Sequence, residues 1–600
     1  DLTVDTGKLL VRNGADLASS TFNAGDGGKL TINATDSVEL IGDPKATGIA
    51  RGGLFASSGG IMSPELETTG TSGNISITTP KLTVRDQALI DVQSSGLGDA
   101  GSINVESDSI LLENEGALSA TTKDGAGGNI AIDTKVLQLN RGLINASVLG
   151  SGTGGNIDIT AQDAVKVTGS NFEQLKTNLF NLDAISPEFL ASLTIEQFKE
   201  GILAAAMDSG DAGIINIQTA NLQMEQGAII ATATAGSGAA GSILLNTSES
   251  LVIDSSFVSN NTLFLGAGGD ITIDANRLEI LQGGQITAST LGRGNGGNVA
   301  INGRESVTVS GNEGGTFVSN ISVGARPLPT ITGNGGNLTI NTPQLKIDDL
   351  ATISIDSTGS GDAGSLEVNA NFVTIDRQAT ISADTQSGGG GNIKLNAENI
   401  VWQGASSTTA TARETGNGGN IIIKADNVLA LEDSYVTADA FRGMGGNIKI
   451  NTQGLFICES CQVSASSALG IDGVVEIDTL EPTTLNSLDT PQQPTQPQEE
   501  VAVACPSEPG NTTSQLTITG RGGLPNRPQE PLNGRSLIEF VSPTAAIKTP
   551  TPVKQATLPA PARGWYRQDN GQVVLTAQST SGYPHNSAAN IVDCHQAASK

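Results

Sequence analysis

A four-residue pattern, Gly-Gly-Asn-Ile or a near relative, returns along this chain at intervals of mostly 27 or 28 residues. Its third position falls at Lys29, Asn74, Ser102, Asn129, Asn156, Ile214, Ser242, Asp270, Asn298, Asn337, Ser365, Asn392, Asn420, Asn447 and Val474. Three gaps are longer, at 45, 58 and 39 residues, and read as one period plus inserted residues. The longest has room for a degenerate period of its own. A fixed period of roughly 20 to 50 residues marks a solenoid, a propeller or an array. Residues 1–480 therefore read as one stacked structure rather than several globules.

Each period has the same internal grammar. After the turn at Gly127-Gly128, Asn129–Asp133 alternates with period two, Val136–Leu139 follows, and Leu143–Ser147 closes the unit before Gly150. Such alternation, bounded by Gly, Asn, Asp and Ser, is the signature of short strands. The third strand returns as a pair of apolar residues two apart: Ile90 and Val92, Ile286 and Ala288, Ile353 and Ile355, Ile381 and Ala383, Val436 and Ala438. A propeller blade needs four strands and about 40 to 50 residues, so the period is too short for one. The expected fold is all-β: a right-handed parallel β-helix with three short strands per coil, coils stacking at about 4.8 Å. Stacking also accounts for a composition with 3 % aromatic and 37 % hydrophobic residues, because a narrow core is filled by Ile, Val, Leu and Ala.

The Asn residues of the repeat, Asn74, Asn129, Asn156, Asn298, Asn337, Asn392, Asn420 and Asn447, are expected to be turn residues. Asn tolerates left-handed backbone and bonds neighbouring backbone groups, and stacked Asn side chains can form ladders.

Three insertions interrupt the rod, at about 43–70, 171–207 and 310–332. The middle one has apolar residues at spacings of three and four, and Ser186-Pro187 is a helix start, so a small helical lobe is expected there. Beyond the rod, a Pro/Gln-rich linker over 481–512 leads to a small terminal segment, 513–600, with a hairpin around Asp569-Asn570-Gly571.

The net charge of −29 argues against nucleic acid as a partner. No run of 18 apolar residues exists to span a membrane. The opening Leu2-Thr3-Val4 already reads as a strand, with no export signal before it, so the chain reads as part of something longer. The four cysteines, Cys458, Cys461, Cys505 and Cys594, suit disulfides in an oxidising compartment. Free thiols are the alternative, with a metal or redox role third; the redox motif lacks its βαβ context.

Catalytic motifs are weak. Gly150–Gly155 and Gly292–Gly297 match a dinucleotide fingerprint in spacing but precede strands, where the fingerprint needs a helix N-terminus. Asp99, Asp211 and Asp362 share a Gly-Asp-Ala-Gly corner yet lie coils apart, so they cannot share one calcium ion. Glycoside chemistry uses pairs of carboxylates, and Asp348-Asp349 is one adjacent pair, but strand neighbours point to opposite faces. The expectation is no catalysis, no cofactor and no metal.

The repeat at Gly154–Ile159 and Gly418–Ile423 resembles that of cyanobacterial filamentous haemagglutinin-like exoproteins. So do Ser37–Leu40, Ile518–Pro525, Gly564-Trp565 and the Cys458/Cys461 pair. The resemblance implies a secreted adhesin on the outer cell surface. It also implies two-partner secretion, in which an N-terminal domain absent from this sequence is recognised by an outer-membrane β-barrel transporter. A rigid rod displaying loops for multivalent attachment to cells, surfaces or extracellular polysaccharide is the leading expectation. A surface-layer or sheath component and a polysaccharide-cleaving enzyme are the alternatives.

Overall fold

The computed structural model describes residues 1–45, 51–59, 68–170, 200–263, 265–313, 317–325 and 333–479, with the backbone of two further strands at 564–567 and 573–576. The chain divides into two units, Asp1–Gln493 and Pro494–Lys600.

The first unit is an all-β parallel solenoid. Sixteen long strands form one continuous parallel sheet, and fifteen three-residue strands form a second. Each long strand pairs with the equivalent strand one period away, as Ile130–Asn140 pairs with Ile157–Thr168. A third line of contact is a ladder of single parallel bridges running from Thr21 to Ser467. Counting coils by their long strands from Leu2–Arg12 as coil 1, the fifteen short strands make a rod about 70 Å long.

The three-strand grammar survives with one change: the first two strands are a single strand with a bend. In Ile130–Asn140, Ile130, Ile132 and Thr134 point inward, and so do Leu137 and Leu139. The phase of alternation slips between Thr134 and Leu137, so the two arms face the core from different sides. A small residue makes the bend possible. Thr134 Oγ1 donates to the Val136 carbonyl at 3.2 Å, and Ser107, Thr219 and Thr342 repeat the contact two residues ahead. Where the long strand has 12 residues, as in Ile243–Asp254, the ladder register shifts at this bend.

The core is a column of aliphatic side chains. All ten residues of the apolar pairs named above, from Ile90 and Val92 to Val436 and Ala438, belong to it. Trp402 is the largest buried side chain among the described residues, and its indole N–H donates to Thr408 Oγ1 at 2.8 Å.

The insertions differ from their expected boundaries. Each contains the short strand of its own coil: Gly53–Phe55, Gly201–Leu203 and Asn320–Ser322. The reason is the short-strand sheet, which would be broken at three levels if those residues left the rod. The 58-residue gap holds no extra period, because Ile157–Thr168 pairs directly with Ile215–Glu225. Residues 201–207, placed in the helical lobe by the sequence, are rod; the helix expected over 171–199 lies outside the described residues.

Among its described residues the second unit contributes an antiparallel strand pair, Gly564–Arg567 with Val573–Thr576; the expected turn Asp569-Asn570-Gly571 between them lies outside the described residues. The linker and most of the terminal segment lie outside the described residues, as do Cys505 and Cys594. Cys458 and Cys461 form a disulfide three residues apart.

That disulfide sits at the turn leaving the long strand Asn447–Ile457. In earlier coils the same turn is held from the next coil, as Asn114 and Glu115 donate to the Asn140 and Arg141 carbonyls. The next coil past Cys461 provides only the strand Val474–Thr479 among the described residues. Reduction is expected to loosen this last turn by about 2 kcal/mol at most, the chain-entropy value for so short a loop. Hydrogen exchange should then rise over 455–465 and stay unchanged in coils 1–12; uniform exchange changes would contradict the capping role.

Candidate functional site

The regular faces of the rod are occupied with holding it together. Seven of the eight repeat asparagines accept a backbone N–H from the next coil: Asn74 from Ser102, Asn129 from Asn156, Asn156 from Ile214, Asn298 from Asn337, Asn337 from Ser365, Asn392 from Asn420, and Asn420 from Asn447, at 2.7–3.3 Å. Asn447 donates its amide back to Asn420 at 3.0 Å. The Gly-Asp-Ala-Gly aspartates do the same work, Asp99 accepting from Ala126 N–H, Asp211 from Ala239 and Asp362 from Gly389. A carboxylate spent on the next coil's backbone is not arranged around an ion. No cluster of three or more His, Cys, Asp or Glu suited to a metal occurs among the described residues.

The adjacent acids also separate. Asp348 is buried and bridged by Lys346 Nζ at 2.7 Å and by the Arg377 guanidinium. Asp349 has already left the strand, in a left-handed conformation with φ 54°. The separation therefore comes from a turn rather than from strand alternation.

Three features depart from this regularity. The first is the corner between long and short strand. Most coils cross it in two to four residues, often with positive φ, as at Asn114 and Glu115. Three coils insert there instead, between Ile41 and Gly53, Thr168 and Gly201, and Ser310 and Asn320. These are coils 2, 6 and 10, so the insertions leave one edge of the rod at intervals of four coils, about 19 Å. Two of them re-enter the short-strand sheet through a glycine with positive φ, Gly53 at 149° and Gly201 at 114°. Beside this edge lies a second apolar cluster, separate from the core, made by Leu203, Ile229, Ala231 and Phe257 on the outer side of the short strands. Phe317, from the coil 10 hairpin Asn312–Glu313/Phe317–Val318, meets Phe257 edge to face at 6.2 Å.

The second feature is a groove along the bend of the long strands. At coils 10–13 its wall is a ladder of side-chain amides. Asn341 donates to Asn302, Asn369 to Asn341 and Asn396 to Asn369, at 2.9, 2.9 and 2.7 Å. Its floor is made of small residues, Gly303, Thr342, Ala370 and Ala397, and the open space is about 600 Å³. Arg304, Pro343, Asn371 and Glu398 form the far rim. At coils 2–6 the same bend forms a groove of about 800 Å³ with charged walls, including Glu106, Asp108, Asp133 and Lys135. The sequence reading missed both grooves; the recurring small residue at the bend was the available signal.

Asp91 is a third departure, in coil 3. It faces outward from Leu89–Asp91, in a column that elsewhere holds Ser119, Ser259, Thr287 and Ser354, yet is buried. Burial pushes its carboxyl up to about 6, against the lowering effect of hydrogen bonds from Ser57 Oγ and the Gln93 N–H. No family model, no curated protein and no solved structure matches this chain.

Proposed function

We propose that this chain is the rod of a secreted, surface-exposed filamentous adhesin, displaying its insertions for multivalent attachment and performing no catalysis. The observation that carries the reading is that coils 2, 6 and 10, four coils apart, each insert residues at the same corner, between the long and the short strand. A rigid solenoid fixes their spacing, so contacts that are individually weak act at high effective concentration. Loops on a rigid scaffold are where binding residues concentrate. Asp99, Asp211 and Asp362 are engaged in coil-to-coil hydrogen bonds, which supports display over catalysis. The disulfide at the last full coil is consistent with an oxidising, extracellular setting. The resemblance to filamentous haemagglutinin-like proteins supports export by a two-partner-secretion transporter.

The test is to incubate the purified chain with a panel of cell-surface and extracellular polysaccharides, scoring both protein retention and glycan integrity. Retention on intact glycan is the expected result. New reducing ends or unsaturated uronates would overturn it in favour of a polysaccharide-cleaving enzyme.

A further inference from the structure

We propose that the apolar cluster on the outer face of the short strands in coils 6–8 is the seat of this chain's own coil 6 insertion, residues 171–199. The inference does not depend on the adhesin reading; it concerns how the longest of the three insertions is held on the rod.

Three observations point to this occupant. The first is burial on the outward side. The middle residue of each short strand here, Ile202, Ile230 or Val258, belongs to the core, so by alternation Leu203, Ile229 and Phe257 point out of the rod. They are nevertheless only 3, 4 and 2 % exposed. The sheet alone does not shelter a large side chain at such a position. Tyr435, in the outward column that Ile229 and Phe257 share, is 40 % exposed. One cover is already visible: Phe317, from the coil 10 insertion, reaches back two coils to Phe257.

The second observation is that the apolar character stops. From coil 9 to coil 13 the two outward columns hold only Gln, Asn, Ser and Thr. Leucine, isoleucine and phenylalanine side by side on an outer face form the kind of patch that marks an interaction surface.

The third is where the chain leaves and returns. The insertion departs after Thr168 and re-enters at Gly201. Gly201 is the register partner of Leu143, and Ile202 beside it is the partner of Ile230. With no side chain, Gly201 leaves an opening in the outward column between Leu143 and Ile229. Within the insertion, Phe172, Leu175, Leu179 and Leu182 recur at spacings of three and four, the pattern of one helix face. Eleven helical residues span about 15 Å, close to three coil spacings of about 4.8 Å. A segment tied at both ends beside the patch meets it at an effective concentration that a second copy of the chain does not reach.

The experiment is limited trypsin digestion of the full chain, with the bond after Lys176 as the reporter. Wild type is expected to resist cleavage there. Leu203→Ser combined with Ile229→Thr gives coils 6 and 7 outward residues of the types that coil 11 carries, Ser354 and Thr352. Cleavage after Lys176 should then rise at least about tenfold, because it tracks the fraction of time the segment is open. Hydrogen exchange in Ile215–Glu225 should stay at the wild-type level, showing that the rod itself is intact. Leu175→Ser combined with Leu179→Ser, which alters no rod strand, should raise cleavage equally. Tyr435→Thr should leave it unchanged. Wild-type cleavage as fast as that of a free 171–199 peptide overturns the proposal, and so does wild-type resistance in both double variants. A wild-type dimer that the Leu203/Ile229 variant splits, with no change after Lys176, also overturns it and makes the patch an interface between copies.

Discussion

Gly241→Ala is expected to disrupt the rod around coils 7 and 8, at a cost above about 3 kcal/mol. A Cβ on Gly241 would lie 1.7 Å from the Gly213 carbonyl oxygen. The contact belongs to a column: Gly128 meets the Gly101 carbonyl at 1.6 Å, Gly269 the Gly241 carbonyl at 1.8 Å and Gly297 the Gly269 carbonyl at 1.8 Å. Backbone conformation is not the issue, since none of these glycines has positive φ. What excludes a side chain is the distance between coils. The hydrogen in place of the Cβ points at the carbonyl one coil earlier, the geometry of a Cα–H···O contact. A methyl group can be admitted only by separating coils that two sheets hold together, so the obstruction cannot relax as a side chain would. Gly7→Ala is the control. Its Cβ would meet nothing nearer than 3.8 Å, and its effect should stay within about 1 kcal/mol. A long repeat array need not unfold in one step, so the readout is hydrogen exchange in Ile215–Glu225 and Ile243–Asp254. Wild-type protection there in the Gly241 variant would mean that the coils do not stack this closely.

Asp91→Asn is expected to stabilise coil 3 at pH 7, by up to about 3 kcal/mol for a shift from 3.8 to about 6. The sign follows from where the proton sits. Burial raises the folded-state pKa, so between about 4 and 6 the folded chain holds a proton that the unfolded chain has released. Stability is therefore full below the unfolded value, falls as pH rises through this window, and is lowest above it. Asparagine keeps the shape and an oxygen for the Gln93 N–H, and it cannot ionise. Wild type should show rising hydrogen exchange around Leu89–Asp91 from pH 4 to 7, after correction for the intrinsic rate, and the variant should not. Equal pH dependence in the two would remove Asp91 as the cause.

Much of the rod was legible in the sequence because its contacts are between residues one period apart. Stacking places position i against its counterpart in the next coil, so any residue type required at that contact recurs at the period. Ile353 and Ile381 recur because they adjoin in the core, and Asn392 and Asn420 because one accepts the other's N–H. The Gly-Gly pairs were legible as turns, but their steric reason was not, since it lies in the distance between coils. The insertions were legible as long gaps. Their edges were not, because Gly53–Phe55 and Gly201–Leu203 are too short to signal strands and are held by neighbours on either side.

The period, the inward aliphatic residues, the repeat asparagines and the absence of a globular core were set by the sequence alone, because each is a local pattern repeated. The tertiary structure decided what depends on direction and neighbourhood. It joined two strands into one bent strand at Thr134, and it set an insertion of each of coils 2, 6 and 10 at the same corner. It buried Asp91 on an outward-facing column, and it aligned Asn302, Asn341, Asn369 and Asn396 along one groove. Each of these follows from the angle at which the chain turns within a coil and the distance at which the next coil stacks on it, and neither quantity is written in the residues of any one period.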